Sequence, residues 1–151
     1  SKAVTIYKDV AQPLSMFVFA LSKAEEKKLF YYDIVAYLLA NGKGSRLYKI
    51  LIDELQLATS VSTMTYDLVD RELFFIIVKP KREEDIAQIK KIILEQLSAL
   101  ASQEIPEIEL RRALNLAYID QQHLLEDVHK QAYAIGKSIL ATGHPEHIPL
   151  Y

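Results

Sequence analysis

Residues 41–62 read NGKGSRLYKILIDELQLATSVS, and within this stretch the apolar spacing changes from a helical period to a strand period. Leu47, Leu51 and Leu55 recur at every fourth position with Tyr48 and Ile52 beside them, which lays one apolar stripe along a helix. From Ala58 the pattern is different. Val61, Thr63 and Thr65 alternate with Ser62, Met64 and Tyr66, the two-residue repeat of a half-buried strand rich in β-branched side chains. Upstream, Gly42 and Gly44 can take the positive φ that ends a helix cheaply, and Ser45 is suited to accept backbone N–H bonds at the next helix start. The stretch therefore predicts the end of one helix, a tight turn, a second helix and a strand.

Working outward, Val4 to Tyr7 is rich in β-branched and aromatic residues, and Leu14 to Leu21, LSMFVFAL, reads as a largely buried strand. Ser22 and Glu25 have capping-box spacing ahead of a helix that carries Phe30, Ile34, Tyr37 and Leu38 on one face and closes at Gly42. Beyond Tyr66, the polar loop Asp67 to Arg71 leads into ELFFIIVK, Glu72 to Lys79, and so short a connection favours an antiparallel pair. Pro80 stops that strand, and Glu83 to Asp85 place negative charge at the start of a helix whose buried face is Ile86, Ile89, Ile93, Leu97 and Leu100. Pro106 suits the first turn of the next helix, with Ile108, Leu110, Ala113, Leu114, Ala117 and Leu124 as expected core positions. A last helix, near Val128 to Leu140, ends at Thr142-Gly143. Strands grouped with strands and helices with helices predict an α+β fold, an antiparallel sheet with helices packed on one face.

The composition narrows the function classes. A chain of 151 residues is expected to form one domain, and 50% hydrophobic with 25% charged residues is a globular composition. The net charge of -2 gives no general attraction to nucleic acid. Without cysteine there is no thiol catalysis, Cys-based zinc site or disulfide framework. No apolar run approaches the roughly 20 residues of a membrane span. The expectation is a soluble protein of the bacterial periplasm or cytoplasm. The abrupt start at Ser1 and the Pro-containing end before Tyr151 suggest a fragment of a longer chain.

Gly44-Ser45-Arg46-Leu47-Tyr48 and the residues around it resemble the helix-turn signature of the non-zinc half-domain of pitrilysin-like metallopeptidases, the group that includes insulin-degrading enzyme and the mitochondrial processing peptidase. The preceding strand, the Asp67-to-Phe75 hairpin, Glu109-Leu110-Arg111-Arg112-Ala113 and Ala134-Ile135-Gly136 follow in the family's order, so the resemblance spans about Val4 to Ile148. It implies an α+β half-domain paired with a similar one. The zinc-bearing half carries H-x-x-E-H, in which two histidines bind the metal and the glutamate activates water.

Two departures follow from that comparison. None of His123, His129, His144 and His147 stands in an H-x-x-E-H frame, so no catalytic or metal residue is assigned here and zinc is expected in the companion half-domain. In half-domains that assist catalysis, an Arg and a Tyr seven residues apart bind substrate and stabilise the oxyanion. The matching positions are Ile52 and Thr59, which lack the charge and the phenol, so that pair is lost. The resemblance thus implies a non-catalytic half-domain that forms part of a peptide-binding chamber and of an interdomain or subunit interface in a homo- or hetero-oligomer. The alternative is an inactive homologue that serves in assembly.

Other candidates have plainer readings. His144 and His147 form H-P-E-H with Glu146, but Pro145 and Pro149 oppose a regular helix, so this reads as a solvated tail. Asp127 with His129, or His123 with Glu126, lacks a nucleophile and reads as helix surface. Arg111 and Arg112, near Glu107 and Glu109, predict a locally compensated solvated face. Tyr31, Tyr32 and Tyr37 read as core or interface. Arg46 follows a helix start, where the helix dipole does not favour a cation, so it needs an ion-pair partner or a contact in another half-domain. With Tyr48, it is the substrate or interface candidate.

Overall fold

The computed structural model describes residues 3–6, 9, 12–22, 26–67 and 71–142. Strand β1 (Ser15–Ser22) is followed by helix α1 (Glu26–Leu39), a short helix α2 (Arg46–Tyr48) that continues as a π-helix (Lys49–Glu54), and strands β2 (Ala58–Asp67) and β3 (Arg71–Pro80). A 3-10 turn (Glu83–Asp85) then opens α3 (Ile86–Ser102), and α4 (Glu107–Glu126) and α5 (Val128–Thr142) follow. The sheet has the order β1-β3-β2, and both pairings are antiparallel. The fold is α+β with its helices on one face of that sheet.

Alternation decides which side chains meet the helices. Phe74, Ile76 and Val78 of β3 and Val61 of β2 point inward and are buried against Ala36 and Leu39 of α1, Leu47, Leu51, and Ile89, Ile92 and Ile93 of α3. Phe17, Phe19 and Leu21 of β1 pack on the same cluster, half-buried. Met16 and Val18 on the opposite side of β1 are 51% and 49% exposed, so this strand is buried on one face only, unlike the expectation for LSMFVFAL. An edge strand with a bare face explains the difference. Residues Val4 to Ile6 have no regular structure, while Tyr7, the Leu68 to Asp70 hairpin tip, Glu25 of the expected capping box, Gly143 and the H-P-E-H tail lie outside the described residues.

Helix α1 is covered on two sides. Ala36 and Leu39 face the sheet, whereas Ile34 and Leu38 pack against Ala113 and Ala117 of α4. Alanines allow the two backbones to approach closely, so α4 docks by its small residues rather than by its large ones. Ile108, Leu110 and Leu114, expected in the core, are 80%, 36% and 40% exposed. The side chains of Phe30 and Leu124 lie outside what is described.

The helix that follows the turn also departs from the α-helical stripe. Its second half is π-helical, and Leu55 N–H reaches Ile50 O at 2.9 Å, five residues back. Leu47 and Leu51 remain fully buried, but Leu55 is 47% exposed because the wider turn rotates it out of register. The chain then leaves through Gln56 at φ +51°, the left-handed region, and its return to β2 is tied by Leu57 N–H to Leu51 O at 2.8 Å. A side chain in that conformation costs about 1 kcal/mol or more that glycine avoids, less glycine's larger unfolded-state entropy. Gln56→Gly should therefore raise stability by up to about 1 kcal/mol, read as a higher urea midpoint with an unchanged m-value. A loss of stability would show that the Gln56 side chain makes a compensating contact.

Candidate functional site: the turn before α2 and the bare sheet face

The turn between α1 and α2 is built from four different devices. Gly42 has φ +88°, so it supplies the left-handed residue that stops α1. Ser45 is fully buried, and its hydroxyl donates to Gly42 O at 2.7 Å instead of accepting from the helix start, which corrects the expected N-cap. Asn41 Oδ1 accepts from the N–H and hydroxyl of Thr63 at 3.3 and 2.9 Å, fastening the turn to the outer edge of β2. Arg46 reaches α4, where Nε and Nη2 donate to Glu109 Oε2 at 2.9 and 2.8 Å. Arg46 thus has the interhelical ion-pair partner that a cation at a helix start requires, and its side chain is only 14% exposed.

Arg112 is the residue that local sequence reasoning missed. Only Arg111 makes the expected short-range pair, with Glu107 on the exposed side of α4. Arg112 instead turns inward and donates from Nη2 to Tyr37 O at 2.8 Å and from Nη1 to Asn41 O at 3.4 Å. These carbonyls belong to the end of α1, where the helix leaves acceptors without an intrahelical donor and where a cation is favoured. Burial pushes the Arg112 guanidinium below its ordinary pKa, and the nearby Glu109 carboxylate acts in the opposite direction. Tyr37 adds a side-chain bond from its hydroxyl to Asp120 further along α4. The i, i+3 sequence of Glu109 and Arg112 was the only available hint, since one helical face carries both.

The remaining candidates are dispersed. Ile52 is half-buried against the core, and Thr59 is exposed with its hydroxyl on Lys79 O at 3.3 Å, beside the register shift between β2 and β3. Tyr48 packs on the main core, partly buried. His123 pairs with Glu126 at 3.4 Å on the surface, and Asp127 Oδ1 caps α5 by accepting from the N–H groups of His129 and Lys130 at 2.8 and 3.2 Å. Among the described residues no three His, Asp or Glu side chains come together as a metal site would need, so these residues do not fit a zinc ion.

The other notable surface is the side of the sheet that no helix covers among the described residues. Cross-strand register places Met16, Ile77 and Ser62 in one row, Val18, Phe75 and Met64 in the next, and Ala20, Leu73 and Tyr66 in the third. Eight of these nine side chains are apolar or aromatic, and Met16, Val18, Met64 and Tyr66 are 43–55% exposed. Both methionines of the chain lie on this face, and neither lies in the core.

Residues 1–116, including the turn, the sheet and the first part of α4, match the family model described as the peptidase M16 inactive domain. The chain belongs to the peptidase M16 family. Within it, this is the inactive type of domain. No curated protein matches the chain. Among solved structures, the inactive peptidase domain of a protein assigned as a zinc protease from Bordetella parapertussis is similar at TM-score 0.74 and 23% identity, over 96% of this chain and 76% of that one. A protein assigned as a zinc protease from Bordetella pertussis Tohama I gives TM-score 0.73 and 24% identity, over 91% and 76%. A protease from Helicobacter pylori gives 0.71 and 21%, over 91% of this chain but 34% of its own. At these identities the solved structures support the M16 fold alone, and the chain spans about a third of the Helicobacter protease. No helix among the described residues of this M16 domain is long and apolar enough to cross a membrane.

Proposed function

We propose that this M16 domain is the non-catalytic half of a zinc peptidase, and that its bare sheet face is covered by a zinc-bearing companion half-domain with which it encloses a peptide substrate. The observation that carries the proposal is the apolar three-by-three array around Phe75, because a soluble domain gains by covering such a patch. The companion supplies the zinc and the hydrolytic chemistry. This chain contributes chamber wall and interface, within a homo- or hetero-oligomer or a longer chain. Ile52 and Thr59 support the passive role, since neither side chain can bind a developing oxyanion as an arginine and a tyrosine would. Arg46 and Tyr48 contribute indirectly, by holding the helices that back the sheet, Arg46 through Glu109 and Tyr48 through the core.

The test is a reconstitution. The purified chain with zinc and an unstructured peptide is expected to show no turnover, and adding the companion that carries H-x-x-E-H is expected to start it. Turnover by the chain alone would overturn the reading. A stable complex without turnover would favour an assembly role.

A further inference from the structure

Gly44 is small for a reason different from that of Gly42. Its φ lies outside the left-handed region, so its backbone is one that other residues adopt. Space is the constraint. A Cβ placed on Gly44 would lie 2.8 Å from Arg112 Cδ, 3.2 Å from Nε and 3.6 Å from Cζ, and the first of these is shorter than real Cβ contacts. The Arg112 stem therefore runs directly over the Gly44 backbone on its way to the end of α1. Its destination is specific. Asn41 N–H bonds to Ala36 O at 3.1 Å, five residues back, so Tyr37 O is met by Arg112 instead of by the donor a continued α-helix would provide. With its head held by the carbonyls of Tyr37 and Asn41, the Arg112 stem has little freedom to swing clear of an added methyl group.

We propose that Gly44 and Arg112 form a socket and plug: the turn before α2 is shaped to receive Arg112, and this insertion fixes α4 on the α1–α2 corner. The turn then acts as an internal docking site, whatever the companion domain does. The arrangement also assigns the turn's residues distinct duties. Gly42 provides the dihedral angle, Gly44 the vacancy, Asn41 and Tyr37 the acceptors, and Glu109 with Arg46 a second tie one helical turn earlier on α4.

A double-mutant cycle on the full chain tests it by urea unfolding. Gly44→Ala is expected to lower the midpoint in the parent background, and Arg112→Ala, which removes the stem, is expected to shrink that effect by at least half. Arg112→Met keeps an atom where Cδ lies but releases it from the Tyr37 and Asn41 carbonyls, so there the Gly44→Ala effect should fall between those in the parent and in Arg112→Ala. If Arg112→Ala does not fold, Arg112→Ser provides a shortened side chain that ends before the Cδ position. Equal Gly44→Ala effects in the parent and the shortened backgrounds would overturn the proposal, as would a Gly44→Ala variant as stable as the parent.

Discussion

Replacing Val18 or Met64 by lysine on the bare sheet face should weaken association with the companion half-domain about 100-fold or more while leaving this domain folded. Both residues flank Phe75 in the central row, so a lysine there would place an unpaired ammonium in the middle of a covered apolar surface. Burying one charge without a partner costs several kcal/mol, and about 2.7 kcal/mol is already a factor of 100 in affinity. The isolated domain gives up little, since Val18 is 49% and Met64 43% exposed before any companion arrives. Titration calorimetry or co-purification would measure the association, with a urea midpoint close to the parent as the control. Peptidase activity of the reconstituted enzyme should fall in parallel. Wild-type affinity in both lysine variants would remove this face as the interface. The corresponding substitution one residue away, Phe74→Lys, points into the core and should prevent folding, so the contrast reads the two faces separately.

The second large effect lies in the turn segment. Leu47→Ala should cost about 2–5 kcal/mol, the usual range for truncating a buried leucine. Leu47 is fully buried between α1, α3 and the sheet, in the main core. Arg46→Ala, one residue earlier, should cost only about 1 kcal/mol, because its ion pair with Glu109 keeps 14% and 27% of the two side chains in contact with solvent. Urea unfolding of both variants checks the order. A larger loss for Arg46→Ala would mean that the Arg46–Glu109 tie, rather than the leucine, dominates the stability of this corner.

These expectations separate what could be read locally from what could not. The two-residue repeat from Val61 to Tyr66 and the run Glu72 to Lys79 specify strands because alternation follows from backbone geometry alone. The short loop between them leaves antiparallel pairing as the simple solution. Gly42 was legible for the same reason, since a positive φ is a property of one residue. Family membership was legible too, through the order of short segments along the chain.

Helix α4 shows where that reasoning stops. Its sequence offers a stripe of large residues, Leu110 and Leu114, and a stripe of small ones, Ala113 and Ala117. Hydrophobicity ranks the large stripe first, but close approach to Ile34 and Leu38 selects the alanines. Arg112 was misread because its acceptors, Tyr37 O and Asn41 O, lie more than seventy residues away, while Glu109 lies within one turn. The loss of the helical stripe at Leu55 arises from a π-turn that no apolar period announces.

For this M16 domain, the linear order of residues was enough to set the order of strands and helices, the antiparallel hairpin, the family and the absence of an H-x-x-E-H frame, because each depends on neighbours along the chain. Packing settled which stripe of α4 is buried, why Gly44 has no side chain, where Arg46 and Arg112 find their partners, and which face of the sheet is left bare. Those outcomes depend on distances between segments remote in sequence. A periodic pattern states which residues share a face, but only the assembled neighbours determine whether that face is covered.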